Sequence, residues 1–136
     1  MKAEELRLGN ILSVKRRNLN LSEVTVSELW IEGNKRHCTV GNKYANYSSD
    51  DSTVAIKPVP LTEEWLLKFG FEIDSYGWYR LRDTSISRER ILSGLYFDSR
   101  NQLTISLSEF YIKVSHVHQL QNLYFALTGT ELTKIK

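Results

Sequence analysis

The chain has a single cysteine among its 136 residues, and it has no long apolar run. Cys38 alone forms no intrachain disulfide and builds no thiolate metal site. A bilayer demands about 20 consecutive apolar residues, so no membrane span is expected. Neither sign of charge is in large excess: 18 Lys and Arg stand against 16 Asp and Glu, a formal net charge of +2. Generic nucleic-acid binders usually carry a larger or more concentrated positive excess, so this balance argues against one. Catalytic signatures are missing as well. There is no Walker loop, GxGxxG, HExxH or GxSxG. The carboxylates are mostly interleaved with Lys or Arg, as on a solvated surface. No catalytic residue, metal ligand or cofactor is assigned, and no enzyme is expected.

The opening residues MKAEELRLGN are charged and lack the apolar stretch of a signal peptide, which predicts a cytoplasmic protein. Asn20-Leu21-Ser22 and Asn46-Tyr47-Ser48 match the glycosylation pattern, which has meaning only in a secreted eukaryotic chain. Hydrophobic residues make up 41% of the chain and charged residues 25%, as in an ordinary soluble domain.

The expected fold class is α+β. Residues 1–60 read as a β-rich part, a small barrel-like sheet of short strands. Residues 61–136 read as a helix, an antiparallel sheet and a C-terminal helix, either separate from the first part or fused with it. In the first part Leu6 and Leu8 read as a short strand before a Gly9-Asn10 turn or bulge, and Ile11 to Val14 follow. Val24 and Val26 share one parity while Leu29 and Ile31 share the other, so a β-bulge or break is expected near Ser27-Glu28. Gly33-Asn34 turns a hairpin into KRHCTV. NKYANYSSDDS reads as loop, Val54 to Ile56 as a short strand, and Pro58 and Pro60 as a block to further pairing.

PLTEEWLLKFGF is the clearest local signal. Thr62 is a good N-cap, Glu63 and Glu64 suit the positive end of the helix dipole, and Gly70 suits a left-handed stop. Two turns of helix are not stable alone, so Trp65, Leu66 and Phe69 must pack. Further on, DSYG and Asp98 to Asn101 read as turns, ILSGLYF as a strand, and SISRERI as a helical turn capped by Ser85 or Ser87. QLTISL and EFYIKVS alternate apolar and polar residues, as an antiparallel sheet with one wet face requires. Leu66, Phe69, Leu103, Ile105, Phe110, Ile112, Leu120, Leu123 and Leu127 are the expected core. His116 and His118 precede an amphipathic helix with Ser115 as N-cap and Gly129 as stop. Their rings are expected to diverge, which excludes a shared metal.

Two surfaces carry binding potential. Trp78, Arg80 and Arg82 share one strand face, joined by Tyr111 and Lys113 from a nearby strand. An indole stacks on bases and guanidinium forks hold phosphates, so this face suits a nucleotide or single-stranded nucleic acid. The bland alternative is that the arginines pair with Glu72, Asp74 or Glu109. Lys15, Arg16 and Arg17, placed near Lys35-Arg36, form a second candidate phosphate contact.

Three stretches, ELRLGNIL, PVPLTEEWLLKFGF and HVHQLQNLYFALTGTEL, carry a resemblance along nearly the full length. They resemble a family of small proteins from Bacteroides-type bacteria and their prophages and mobile elements. The resemblance brings no catalytic assignment and no site residues. It implies a bacterial cytoplasm, in which such proteins bind host components. The expected function is a non-enzymatic binding protein that engages a host or phage macromolecule or sequesters an anionic ligand such as a nucleotide. The alternative is a protein–protein adaptor or homo-oligomer using Trp30, Tyr44, Tyr47 or Phe125.

Overall fold

The computed structural model describes residues 5–81, 95–98, 100, 102–107 and 110–135. The protein is α+β and mostly strands, with two antiparallel sheets and a C-terminal helix. The chain divides into two compact units, residues 1–59 with 116–122, and residues 60–115 with 123–136. A division at residue 60 alone misses that the chain returns to the first unit late. Arg82, the SISRERI segment and the first residues of ILSGLYF lie outside the described residues.

The first unit holds β1 (Ile11–Arg16), β2 (Leu19–Glu32), β3 (Lys35–Gly41), β4 (Asn46–Ser48) and β5 (Ala55–Pro58), in the order β4-β3-β2-β1-β5. Among the described residues no pairing joins β4 to β5, so the ladder is open rather than a closed barrel. Alternation puts Leu12, Val14, Val24, Val26, Cys38 and Val40 on one buried face, with Leu6 beside them. The parity switch in β2 is a register shift between Val26 and Glu28. One extra residue moves Leu29 and Ile31 onto the face that Val24 and Val26 would otherwise have vacated. Gly33 takes φ 61 at the hairpin tip and Gly9 takes φ 87 in its turn, both costly for other residues.

Three expectations for this unit fail. Leu6 to Leu8 is not a strand, because Leu8 and Gly9 form a turn closed by the Asn10 N–H bonding to Arg7 O before β1 begins. The polar stretch read as loop contains β4, which its backbone pairing with Thr39 to Gly41 holds in place despite weak strand propensity. Pro58 does not stop pairing: it lies in β5 opposite Leu12. β5 is an edge strand, where a missing N–H is tolerated.

Where β3 meets β4 the backbones approach closely. A Cβ on Gly41 would stand 2.7 Å from the Ala45 carbonyl oxygen and closer still to the Asn46 side chain. Gly41→Ala is therefore expected to destabilise the protein by about 1–3 kcal/mol, read as a lower urea midpoint with an unchanged slope.

The second unit carries α1 (Glu63–Lys68), β6 (Phe71–Ile73), β7 (Tyr79–Leu81), β8 (Leu95–Phe97), β9 (Leu103–Leu107) and β10 (Phe110–Val114). Its sheet order is β10-β9-β8-β7-β6, a meander. Thr62 is the extended residue before α1, but its hydroxyl makes no capping bond. The helix is held instead by burial of Trp65, Leu66 and Phe69, and by the Gly70 N–H bonding to Leu67 O with Gly70 at φ 93. Glu63 also accepts from the Tyr79 phenol. Burial, with this bond and the carboxylate's charge, pushes that phenol up to about 12.

Leu103, Ile105 and Leu120 are buried as expected, while Ile112, Leu123 and Leu127 are half-buried. α2 (Val117–Thr128) supplies Val117 to Asn122 to the first unit and the rest to the second. Ser115 is not its cap. His116 stands in that position, its carbonyl accepting from Leu120 N and its N–H bonding to Gln119 Oε1, as in half of a capping box.

Candidate functional site

The second sheet carries the first expected surface. Tyr79, Leu95, Ile105 and Ile112 follow one another across β7 to β10, and Tyr79, Leu95 and Ile105 are fully buried. Alternation then puts Trp78, Arg80, Tyr96, Thr104, Tyr111 and Lys113 on the opposite face. Trp78 precedes β7 rather than lying within it. It is half-buried, with its indole edge-on to Tyr96 at 4.8 Å. Tyr96 is the aromatic partner missed in the sequence. Its parity was readable, but nothing in LYF marked which strand would lie beside Trp78.

Arg80 is opposite Glu72 and forms an ion pair with Asp74 at 3.4 Å. The cross-strand alternative thus holds for this guanidinium. Asp74 Oδ1 also accepts from the Tyr76 and Trp78 N–H groups, and these bonds, with Arg80, hold its carboxyl below the usual range. Asp98 repeats the device with Arg100 and Gln102. Tyr111 and Lys113 are exposed on β10, three strand spacings, or about 14 Å, from β7. The face unites the expected residues by orientation but does not close them around one small ligand.

The basic cluster does not unite either. Lys15, Arg16 and Arg17 lie exposed at the β1–β2 turn, beside the start of β2. Lys35 and Arg36 pair with its far end. The 14 residues of β2 separate the two groups.

A different feature concentrates apolar and cationic groups. β1 covers β2 only as far as Thr25, and β4 covers β3 only from Thr39. Glu28 to Glu32 and Lys35 to Cys38 therefore run on as a two-stranded ribbon. Against it lies a cavity of about 200 Å³ lined by Leu6, Leu29, Trp30, Ile31, Arg36 and His37. Ile31 is 68% exposed and Leu29 40%. Trp30 lies directly opposite His37, and the two rings stack at 5.4 Å.

His37 Nδ1 lies 3.4 Å from Ser49 Oγ, and its Nε2 lies 4.0 Å from Glu32. Ser49 Oγ meanwhile accepts the Cys38 N–H at 2.9 Å. The carboxylate is beyond hydrogen-bond reach, so the line fixes the ring over Trp30 more than it activates the hydroxyl. Burial pushes the Cys38 thiol up despite the Ser49 hydrogen bond, which leaves it a poor nucleophile.

The histidine pair departs from expectation. The rings of His116 and His118 do not diverge but stack at 5.8 Å, because His116 precedes the helix and its side chain is free of helical periodicity. His118 is 1% exposed, with Nε2 3.5 Å from Glu5 and Nδ1 buried without a hydrogen-bond partner. Among the described residues no group of three His, Cys, Asp or Glu side chains is arranged to hold a metal.

Burial, opposed by the Glu5 hydrogen bond and aided by His116, lowers the His118 pKa. The unfolded chain then binds the proton more readily than the folded one. This stabilisation is present above about pH 6.5 and is lost as pH falls through the depressed folded value. Urea midpoints measured from pH 7.5 to 5 are expected to fall with acidification, and to fall less in His118→Leu.

Around these rings the helix grips the start of the chain. Gln121 is 3% exposed, accepts from Ile11 N at 2.8 Å and donates to Gly9 O at 3.2 Å. Asn10, fully buried, donates to Asn122 Oδ1 and accepts from Arg7 N. Asn122 in turn donates to Glu5 O. Gln121 and Asn122 lie off the apolar stripe of the helix. They are bonded to backbone that the Gly9 turn leaves outside any ladder.

No family model matches the chain, and neither curated proteins nor solved structures yield a match.

Proposed function

We propose that the protein is a non-enzymatic binding protein that engages a macromolecular partner through the β2–β3 ribbon. The observation that carries this reading is the cavity walled by Leu6, Leu29, Trp30 and Ile31, with Arg36 and His37 beside it. Trp and Arg are among the residue types enriched at binding hot spots, and exposed aliphatic side chains beside them add apolar area for a partner to cover. Ile31 gains nothing for folding by standing 68% exposed, whereas a partner covering it removes that area from water. The partner is a bacterial or phage macromolecule if the sequence resemblance holds.

The test is capture of partners from lysate of a bacterium carrying such elements, with wild type beside Trp30→Ala and Ile31→Ser. Both variants should keep the wild-type circular dichroism and lose the captured species. Retention of the same species by both variants overturns the reading.

A second reading, binding of single-stranded nucleic acid laid across this face, is supported by the Trp78–Tyr96 pair in the same sheet as Lys113. Titration with a panel of nucleotides and short oligonucleotides tests it. Binding should be lost in Trp78→Ala and weakened in Lys113→Ala, and the absence of any binding removes it.

A further inference from the structure

The open edge of β2 has a definite chemical identity. Cys38 directs its N–H to Ser49 Oγ and its carbonyl to Ser49 N, so both its backbone groups point toward the β4 side. Its partner Leu29 therefore stands at a non-hydrogen-bonded position of the β2–β3 ladder, and so does Ile31 opposite Arg36. Trp30, opposite His37, exchanges the ladder bonds between them. The N–H and C=O groups of Leu29 and Ile31 consequently point outward, on the side where β1 runs alongside β2 only up to Thr25. On that side Val26 still bonds to Asn10 O and Gly9 N, and among the described residues no strand continues past it. Four backbone groups thus face outward in a row beside the apolar cavity.

From this geometry we infer, building on the ribbon reading above, that β2 accepts an extended segment of another protein as an added antiparallel strand along Leu29 to Ile31. The segment carries two apolar side chains flanked by basic residues. Strand addition needs an unpaired edge for affinity and side-chain pockets for specificity, and among the described residues both are present.

Charge selects the occupant. Glu28 and Glu32 are exposed on the same strand, at the two ends of the apolar stretch. An added strand meets these two carboxylates directly, whereas Lys35 and Arg36 sit one strand farther away. Opposite charges across a strand pair stabilise it and like charges oppose it. A second copy of this chain is a poor occupant for the same reason. The two-fold pairing that satisfies all four outward groups sets Leu29 opposite Ile31 of the other copy and Glu28 opposite its Glu32. Self-pairing therefore juxtaposes carboxylates twice.

The probe is a synthetic peptide of sequence Lys-Val-Thr-Val-Lys with blocked ends, compared with the same peptide flanked by Glu. Amide hydrogen exchange and NMR shifts of the full chain report where it binds. The Lys-flanked peptide should slow exchange at Leu29 and Ile31 by tenfold or more, and the Glu-flanked peptide should not. Ile31→Pro removes only the outward donor and spares the ladder bonds to β3, so it should weaken binding at least tenfold. Ile31→Val keeps the donor and should stay within threefold of wild type. Glu28→Lys with Glu32→Lys should exchange the preference between the two peptides.

No peptide binding, binding that leaves both amides unprotected, or protection that grows with protein concentration without peptide each overturns strand addition. Suppose Trp30→Ala abolishes partner capture from lysate while Ile31→Pro does not. Then the ribbon docks side chains only, and strand addition falls while the binding reading stands. If neither variant affects capture, both fall.

Discussion

Gln121→Leu is expected to destabilise the protein by about 2–4 kcal/mol, the combined cost of leaving two backbone groups without partners. The side chain is 3% exposed and makes two bonds, accepting from Ile11 N and donating to Gly9 O. Neither backbone group has a ladder partner to fall back on, since Gly9 lies in the turn before β1 and β5 pairs with β1 only as far as Leu12, short of Ile11. Leucine matches the volume closely, so the loss is of hydrogen bonding rather than packing. Asn122→Ala removes bonds at a half-buried rim and should cost only about 1 kcal/mol. Urea unfolding of both variants measures the contrast. Equal, small losses would mean that water reaches Ile11 N and Gly9 O as soon as the amide is gone.

Phe69→Ala should cost about 3–5 kcal/mol, the range for truncating a fully buried aromatic side chain. Phe69 is 1% exposed, and its N–H bonds to Trp65 O where α1 ends. Six residues do not sustain a helix in water, so α1 exists because Trp65, Leu66 and Phe69 are buried. Their removal is felt twice, as lost burial and as a helix no longer anchored. Amide exchange in α1 should therefore accelerate more in Phe69→Ala than in Leu67→Ala, whose side chain is 48% exposed. The unfolding midpoint should show the same order.

The elements that sequence made legible share a cause. α1, the bulge in β2, the Gly33 hairpin and the alternation in β10 are each written in residues within a few positions of one another, whereas Thr104, on the expected wet face of β9, is buried. Local periodicity and turn chemistry decide them. What stayed hidden depends on distant pairing. β4 is a strand because Thr39 to Gly41 offers it an edge, and Pro58 is tolerated because β5 lies at the rim of its sheet.

Gln121 and Asn122 could not be matched to their partners from sequence, because helical spacing says which residues share a side, not what that side meets. The same limit applied to the binding surfaces. Trp78 and Arg80 were rightly put on one face, but the Tyr96 contact and the Asp74 ion pair come from strand order. The ribbon groove was legible only in part. The parity switch at Ser27-Glu28 announced the bulge that keeps Leu29 and Ile31 on the side of Val24 and Val26, whereas the points where β1 and β4 stop pairing are fixed by loops with no periodic signal.

The hydrogen bond from Ile11 to Gln121 joins residues 110 positions apart. During synthesis the β-strands of the first unit emerge long before the helical turn that completes it. Until that turn arrives, the backbone around Gly9 must be served by solvent, and the nascent sheet lacks its last partner. Sequence distance of this kind slows the closing step of folding. A nascent chain halted before Gln121 leaves the ribosome unfinished, and an exposed edge on such an intermediate is where wrong strands join.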